Sequence, residues 1–356
     1  MSLRIVSCLG IGFAISVTAF AHHASDPHFD HGSPMSVAGV VTDLQFVNPH
    51  AYVYFNVTSV RGEIVPWRCE LSAATLLVRR GWTRDTVRAG QDIVVHGSPA
   101  RREEHVCFLN SFELDGGPEI TRGENLNGVA TIASVAEMSG ERPERLLNGQ
   151  PNLTGSWVSL SFGAVLNDEV DQNEVRGFRD SYEPTLAGLE ARVGYEMAFD
   201  NPKLRCHVGN VIDGWNTDRH VNEVYQNDDE VILQYGFMDF VRVVYLDMEV
   251  HPADITPSTG GHSIGWWEGE TLVVDTVGFE QGILLPRDGT SHSDQMHLVE
   301  RFSFDAEESV LFRNYRIEDP RFLVSPVDGQ DVMGFSVAPY EPYGCLELSG
   351  DNNIRR

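Results

Sequence analysis

Positive charge is scarce in this sequence. Its 356 residues include 26 Lys and Arg against 52 Asp and Glu, which gives a net charge of −26 at pH 7. A field of this sign repels the phosphate backbone of nucleic acids and anionic lipid surfaces, while it attracts cations. We therefore expect no nucleic-acid partner.

Two common catalytic motifs are also missing. The chain has no Gly-x-x-x-x-Gly-Lys phosphate loop and no Cys-x-x-Cys pair, so nucleotide hydrolysis and thiol redox chemistry lack support. The Gly-x-Ser-x-Gly pattern occurs at Gly261-His262-Ser263-Ile264-Gly265, but its setting does not favour a nucleophile elbow. Ser263 lies between His262 and Ile264 in an all-β setting, without the strand-turn-helix context that exposes a catalytic serine.

Long apolar runs are limited to the first residues. The run from Ile5 to Phe20 follows Arg4 and ends in Ala19-Phe20-Ala21, which has the form of a signal-peptidase site. Residues 1–21 are thus predicted to be a removed signal peptide. A retained anchor is the alternative, and the short, glycine-containing run disfavours it. We expect an exported protein, periplasmic or secreted, with no integral membrane segment after signal removal.

Cysteine is sparse, and its number suggests disulfides. Apart from Cys8 in the predicted signal, the chain contains Cys69, Cys107, Cys206 and Cys345. An even set in an oxidising compartment is typical of disulfides. Of the three pairings, Cys69 with Cys107 and Cys206 with Cys345 are favoured because each pair stays inside one domain. Four buried free thiols are the alternative.

Alternating apolar and polar residues predict a mainly all-β protein of two domains. Residues 22–35 are polar and histidine-rich, and are expected to form an arm. Residues 36–115 show three strands, a helix and two strands, which is the order of an OB-like small barrel. Residues 116–150 are rich in Gly, Glu, Asn and Pro and predict a linker, with a short helix near 133–138.

Residues 151–356 predict a larger antiparallel, lipocalin-like β-barrel with one or two helices. Tight turns separate many of its strands. One amphipathic helix is expected near 184–197, with Leu186, Leu189 and Val193 along its apolar side.

Short motifs in both halves are familiar. In the first domain they are His22-His23-Ala24-Ser25, Asn48-Pro49-His50 and Arg80-Gly81-Trp82-Thr83-Arg84-Asp85. Residues 22–115 resemble a family of exported bacterial domains of unknown function, DUF6152. In the second half, Gly261-His262-Ser263-Ile264-Gly265, Trp267 to Thr276 and His297 to Phe302 resemble a widespread bacterial β-rich module. Leu346 departs from that module, which tends to have histidine beside the cysteine. Neither resemblance implies an activity.

The predicted new amino terminus is a candidate metal site. Cleavage after Ala21 would give His22 a free α-amine beside its imidazole, and the two form a bidentate chelate for copper when another histidine lies near. The candidate partners are His23, His28, His31 and His50. Copper is the cofactor that this hypothesis implies, and solvated histidines in an arm are the alternative.

Titratable residues near strand ends of the second domain form another constellation. The candidates for acid-base catalysis are His262, His292, Asp294, Asp275 and His297. If residues 292–294 are extended, His292 and Asp294 share a face. The Asp294 carboxylate could then orient the His292 imidazole. Strand alternation places His297 and Glu300 on opposite faces, so these two cannot serve one site. Turn caps and hairpin contacts are the alternative interpretation.

Aromatic residues could line a ligand cavity in the larger barrel. The candidate ligand-binding residues are His251, Trp266, Trp267, Tyr245 and Phe240. A filled core is the alternative, although one of Trp266 and Trp267 should be exposed because adjacent strand residues face opposite ways. The favoured function is binding of a small apolar or aromatic ligand or substrate, with hydrolysis, isomerisation or dehydration as the candidate chemistry. Copper or another transition metal at the amino terminus is the alternative.

Overall fold

A computed structural model describes residues 25–126, 143–160, 182–217, 220–307, 309–336 and 338–347. The predicted signal peptide, His22, His23 and the helix expected near 133–138 lie outside these residues. The described chain is mostly β-structure arranged as a small and a larger barrel, which confirms the predicted fold class. No helix in the described ranges is both long enough and apolar enough to cross a bilayer.

The first barrel has the strand order of an OB fold. Its elements are β1 (Met35–Gln45), β2 (Tyr52–Thr58), β3 (Ile64–Glu70), α1 (Ala74–Arg79), β4 (Asp92–Pro99), β5 (Val106–Leu114) and β6 (Ile120–Thr121). The sheet runs β3-β2-β1-β4-β5-β6, and a parallel pairing of β3 with β5 closes five strands into a barrel. Because β6 pairs with β5, this sheet continues into residues that the sequence assigned to a linker.

The first barrel is closed around a dense apolar core and a disulfide. Phe55, Val95 and Leu109 are among its buried residues. Cys69 and Cys107 lie opposite each other in the β3–β5 pair and are bonded. Both predicted disulfide pairs are present, since Cys206 is bonded to Cys345.

The histidine-rich segment before β1 is packed where it is described. Phe29 is buried in a small cluster with Val106 and Phe108, and forms a bridge with Ala100. One aromatic side chain therefore anchors this part of the predicted arm to β5.

The second barrel has nine strands among the described residues. They are β7 (Gly155–Ser159), β8 (Val221–Gln226), β9 (Glu230–Gln234), β10 (Val241–Tyr245), β11 (His262–Glu268), β12 (Thr271–Val277), β15 (His297–Asp305), β16 (Val310–Glu318) and β17 (Val327–Phe335). Two shorter strands, β13 (Gly282–Leu285) and β14 (Thr290–His292), form a separate hairpin.

One junction of this barrel is parallel. An odd number of strands cannot close with antiparallel pairs alone, and the parallel pair here joins β10 to β11. The predicted antiparallel barrel is thus correct except at this junction. The two strands share only the pairs Val244↔Ser263 and Tyr245↔Ile264.

Short helices lie on the larger barrel. They are α2 (Leu186–Ala191), α3 (Met197–Asp200), a 3-10 turn (Pro202–Arg205) and α4 (Val211–Asn216). The apolar side predicted near 184–197 does not face the core, since Leu186 and Val193 are 72% and 81% exposed. Gly188 is buried instead, and a Cβ there would overlap the backbone of Phe322. This close approach, and not the apolar periodicity, sets which side of α2 faces inward.

The interior of the larger barrel contains a buried ionic network. We use this name for Arg242 on β10, Glu300 on β15, Arg313 on β16 and Asp331 on β17, all of which are buried. Arg242 Nη2 donates to Glu300 Oε2 at 2.7 Å. Arg313 Nε donates to Asp331 Oδ2 at 2.8 Å, and its Nη1 donates to Glu300 Oε1 at 3.3 Å.

The buried ionic network contains two guanidinium groups and two carboxyl groups, and burial raises the pKa of Asp331 above its ordinary value. Burial lowers the pKa of Arg313, but Asp331 and Glu300 more than offset that effect, so its pKa lies above the ordinary value. Arg313 Nη1 and Nη2 also donate to the carbonyls of Val211 and Ile212, at 3.2 and 2.9 Å. The network therefore fixes α4 inside the barrel.

The two barrels meet at the Asn48-Pro49-His50 turn. Leu346 N donates to the carbonyl of Asn48 at 2.7 Å, and the Asn48 side chain donates to the carbonyl of Tyr343. Between these two residues, Cys345 is bonded to Cys206 of the larger barrel. This turn is thus a docking point for residues 343–346.

Replacing Arg313 by Met is expected to lower the free energy of unfolding by about 3–5 kcal/mol, because it leaves buried carboxylates without a cation. Urea denaturation measures this change. Arg316→Met is the matched control on the same strand. Arg316 is exposed and pairs with Glu318 and Asp328, so its loss should leave the free energy of unfolding nearly unchanged. Equal losses would contradict the role of the network.

Candidate functional site

The structure brings four of the predicted residues together on the outer face of the larger barrel. These are His262, His251, Asp275 and His297, which we call the histidine relay. His251 Nδ1 lies 2.9 Å from His262 Nδ1, and His251 Nε2 lies 2.9 Å from Asp275 Oδ1. His297 Nε2 lies 2.9 Å from Asp275 Oδ2. One carboxylate therefore joins two histidines, and a third histidine extends the chain.

Strand register places these side chains side by side. Asp275 on β12 lies opposite Ile264 of β11 and Val299 of β15, two residues from His262 and His297 respectively. The intervening positions point into the barrel, as the burial of Ser263 shows. His251 comes from the connection between the parallel strands β10 and β11.

Hydrogen-bond roles within the histidine relay follow from the carboxylate. An ionised Asp275 only accepts, so His251 Nε2 carries a proton and donates it. In neutral His251 the Nδ1 atom is then an acceptor, which requires His262 Nδ1 to be the donor. The remaining nitrogen, His262 Nε2, is left with a free lone pair. His262 also stacks on Tyr245, with ring centroids 5.3 Å apart.

The environment moves the pKa values of the relay in different directions. Burial raises the pKa of Asp275, but hydrogen bonds from His297 and His251 outweigh it and the net pKa is lowered. The hydrogen bond to Asp275 raises the pKa of His297. Burial, followed by repulsion from His251, lowers the pKa of His262. These shifts favour the neutral form of His262 and the protonated form of His297.

An open pocket of about 470 Å³ lies beside the relay. It forms where β10 and β11 separate beyond their two shared pairs. Its lining residues are Phe240, Val241, Arg242, Val243, Tyr245, Pro257, Ser258, Thr259, Gly260, Gly261, His262, Ser263 and Glu280. The pocket thus combines apolar side chains of β10 with the imidazole of His262, which is a suitable arrangement for a small ligand.

Only some of the predicted ligand-binding residues line this pocket. Phe240 and Tyr245 line the pocket, and His251 belongs to the histidine relay. Trp267 packs against the core while Trp266 is exposed, as strand alternation predicted. Neither tryptophan is among the pocket's lining residues.

His292 and Asp294 do not take part in the relay. His292 is buried at the end of β14, where its Nδ1 lies 3.3 Å from the carbonyl of Ser293. Asp294 is exposed and pairs with Arg321. The expectation that Asp294 orients His292 is wrong, because β14 ends at His292 and the next residues turn toward Asp319.

Of the candidate metal ligands, His28, His31 and His50 lie in the described ranges. The Nδ1 atom of His50 is 2.7 Å from Glu70 Oε1, and Glu70 is buried beside Tyr52. Burial raises the pKa of Glu70, but His50 more than compensates and the net pKa is lowered. Within the described residues, no group of three or more His, Cys, Asp or Glu side chains has the arrangement of a metal site.

Sequence reasoning missed the importance of Arg242. In Val241-Arg242-Val243-Val244-Tyr245, Arg242 shares a face with the buried Val244. Arg313 likewise alternates in phase with Leu311 and Tyr315, which are buried. A charged residue in the apolar phase of a strand is the signal that could have indicated a buried polar network.

A family of unknown function, DUF6152, matches residues 12–107. The match covers most of the small barrel, as the motifs in that half predicted, and does not extend to the histidine relay. No curated protein matches the chain. The chemistry of the second barrel must therefore be argued from its own geometry.

Asp275→Asn should lower the pKa of His297 toward its ordinary value, because the neutral amide no longer stabilises the imidazolium. NMR titration of the histidine ring protons measures this. In the unchanged protein, His297 should titrate above His262. Asp294→Asn is the control, since this carboxylate lies outside the relay. A His297 titration that is the same in both variants would contradict the relay.

The free energy of unfolding should fall as the pH drops below about 6.5. Burial lowers the pKa of His292, so the unfolded chain binds a proton that the folded chain does not. Urea unfolding across that range measures the slope, and His292→Gln should flatten it. Thr290→Ser, a change at a nearby buried residue that does not titrate, should leave the slope as it is. A slope unaffected by His292→Gln would contradict this assignment.

Proposed function

We propose that the larger barrel binds a small apolar or aromatic molecule in the pocket between β10 and β11, and that His262 acts on it as a general base. The observation that carries this proposal is the position of His262. It lines the pocket while its Nδ1 is engaged by His251, which is in turn engaged by Asp275. His262 Nε2 is thus a hydrogen-bond acceptor on a ring that His251 and Asp275 hold in place.

Physical chemistry supports the assignment of the base. A general base must be unprotonated at the working pH, and the lowered pKa of His262 meets this condition. When His262 gains a proton, His251 can accept the Nδ1 hydrogen bond and Asp275 stabilises the resulting charge. This is the role that an aspartate has behind a catalytic histidine. If His262 removes a proton from the ligand and returns it to a different ligand atom, the reaction is an isomerisation. If the ligand instead loses a hydroxyl group after the proton is removed, the reaction is a dehydration.

The two disulfides and the predicted signal peptide support a periplasmic or secreted location. The ligand would then be a molecule that is present in the periplasm or outside the cell. Copper binding at His22 remains a separate hypothesis that rests on the predicted cleavage site.

Native mass spectrometry of exported protein should detect a bound small organic molecule. Val241→Trp is expected to remove it, since Val241 is 50% exposed and its larger replacement fills the pocket. Val324→Trp is the control, because Val324 is 57% exposed and lies outside the lining. The unchanged protein and His262→Gln are then incubated in D₂O. The molecule released by the unchanged protein should contain deuterium, whereas the molecule released by His262→Gln should not.

Two outcomes would contradict the proposal. Retention of the molecule by Val241→Trp would place its binding site elsewhere. Equal deuterium incorporation by the unchanged protein and His262→Gln would remove His262 as the base while leaving the pocket as a binding site.

A further inference from the structure

Glu280 supplies a carboxylate to the pocket between β10 and β11. It is a lining residue and is exposed. Arg242 is the other lining residue with a charged side chain, but it is buried, and its guanidinium is bonded to Glu300 inside the barrel. A molecule in the pocket therefore meets the negative charge of Glu280 and not the positive charge of Arg242.

Two hydrogen bonds hold Glu280 on the pocket wall. Its backbone N donates to the carbonyl of Ser258 at 3.0 Å, and Thr259 Oγ1 donates to its Oε1 at 2.6 Å. Ser258 and Thr259 are lining residues too. The wall thus fixes the position of the carboxylate, while its second oxygen, Oε2, has no donor among the residues that the structure describes.

The wall that carries Glu280 leads directly to His262. Residues 258–261 form a turn in which Gly261 N donates to the carbonyl of Ser258 at 3.2 Å, and His262 is the next residue of the chain. Both side chains line the pocket. The carboxylate and the proposed base therefore belong to the same wall, and one ligand can contact both.

Another side of the pocket is apolar. Along β10, Val241, Val243 and Tyr245 alternate with the buried Arg242 and Val244, so they share the outer face of the strand. These three outer residues line the pocket and offer a surface for a hydrocarbon or aromatic group. A carboxylate beside an apolar surface favours a ligand that combines an apolar body with a positive charge.

The charge of the chain favours the same kind of ligand. A net charge of −26 attracts cations and repels anions. A carboxylate ligand would also be repelled by Glu280 at close range. A protonated amine, in contrast, can donate an N–H to the Oε2 atom of Glu280, and hydrogen bonds between two charged groups are stronger than those between neutral ones.

We infer that the ligand of this pocket is a protonated amine with an apolar or aromatic body. Its ammonium group donates to Glu280 Oε2. Its body lies against Val241, Val243 and Tyr245. The inference rests on the proposed function and names the substrate class. Because Glu280 and His262 belong to one wall, the ion pair fixes one end of the ligand and leaves another part of it beside the base.

Fluorine NMR titrations of the full chain with three probes test this inference. The probes are para-fluorophenethylamine, para-fluorophenethyl alcohol and para-fluorophenylacetate, which are similar in size but present a cation, a neutral hydroxyl and an anion. The amine should bind about threefold more tightly than the alcohol, as expected for one ion pair with an exposed carboxylate. The phenylacetate should bind most weakly.

Variants locate the preference for the amine. Glu280→Gln removes the charge but can still accept from Thr259, so it should bind the amine and the alcohol equally. Glu307→Gln is the matched control, because Glu307 is exposed in the turn between β15 and β16 and is not a lining residue. It changes the net charge by the same amount and should keep the preference. Val241→Trp should weaken binding of both the amine and the alcohol.

The outcomes separate this inference from the proposed function. Equal binding of the amine and the alcohol, with both weakened by Val241→Trp, would overturn the inference and keep the pocket. A preference for the amine that survives Glu280→Gln, or that Glu307→Gln also removes, would exclude Glu280 as the specific partner of the cation. Tighter binding of the phenylacetate would show that an anion is preferred. If no probe binds to the unchanged protein, the proposed binding function fails as well.

Discussion

A closed barrel with an odd number of strands must contain a parallel pair, and this constraint underlies the candidate site. Antiparallel neighbours can be joined by tight turns, but parallel neighbours need a connection that returns to the starting end. Here that connection is residues 246–261, between β10 and β11. It supplies His251 to the histidine relay, and its last residues form one wall of the pocket. The short overlap of the two strands leaves the space that the pocket occupies.

The same part of the barrel joins two different chemical environments. On the inner face of β10, Arg242 belongs to the buried ionic network, while Tyr245 on the outer face stacks on the relay histidine. Strand alternation separates the network from the relay, although Arg242 and His262 are both lining residues of the pocket. The hydrogen-bonded network on the inner face supports the more exposed titratable groups on the outer face.

Much of this fold can be predicted from local sequence patterns. Alternation gives the strands of both barrels, and the order of elements gives the OB arrangement with α1 between β3 and β4. Both disulfides follow from keeping each pair within one domain. Alternation also predicts that His297 and Glu300 lie on opposite faces of their strand, and that Trp266 and Trp267 do so on theirs. This holds because successive side chains of a strand point to opposite faces. The parallel junction was not predicted, because strand direction depends on closure of the whole barrel.

The candidate site was only partly accessible to the same reasoning. His262, Asp275 and His297 were selected as candidates, but their grouping depends on the register between β11, β12 and β15, and the β13–β14 hairpin separates β15 from the other two in sequence. His292 was selected for its proximity to Asp294 in sequence, and the end of β14 separates the two. Arg242 lies in an apolar strand, and what it contacts is set by long-range packing. Composition indicates which groups are present, whereas topology decides which of them meet.

The bond between Cys206 and Cys345 has a consequence for where the two barrels can be joined. It holds the segment that carries Tyr343 and Leu346 against the larger barrel, and this segment reaches the Asn48 turn of the smaller one. Reducing conditions, such as those of a cytosol, would release this anchor. The contact at Asn48 would then be made by a segment that is no longer covalently held to the larger barrel. The mutual orientation of the barrels therefore becomes sensitive to the redox state of the compartment.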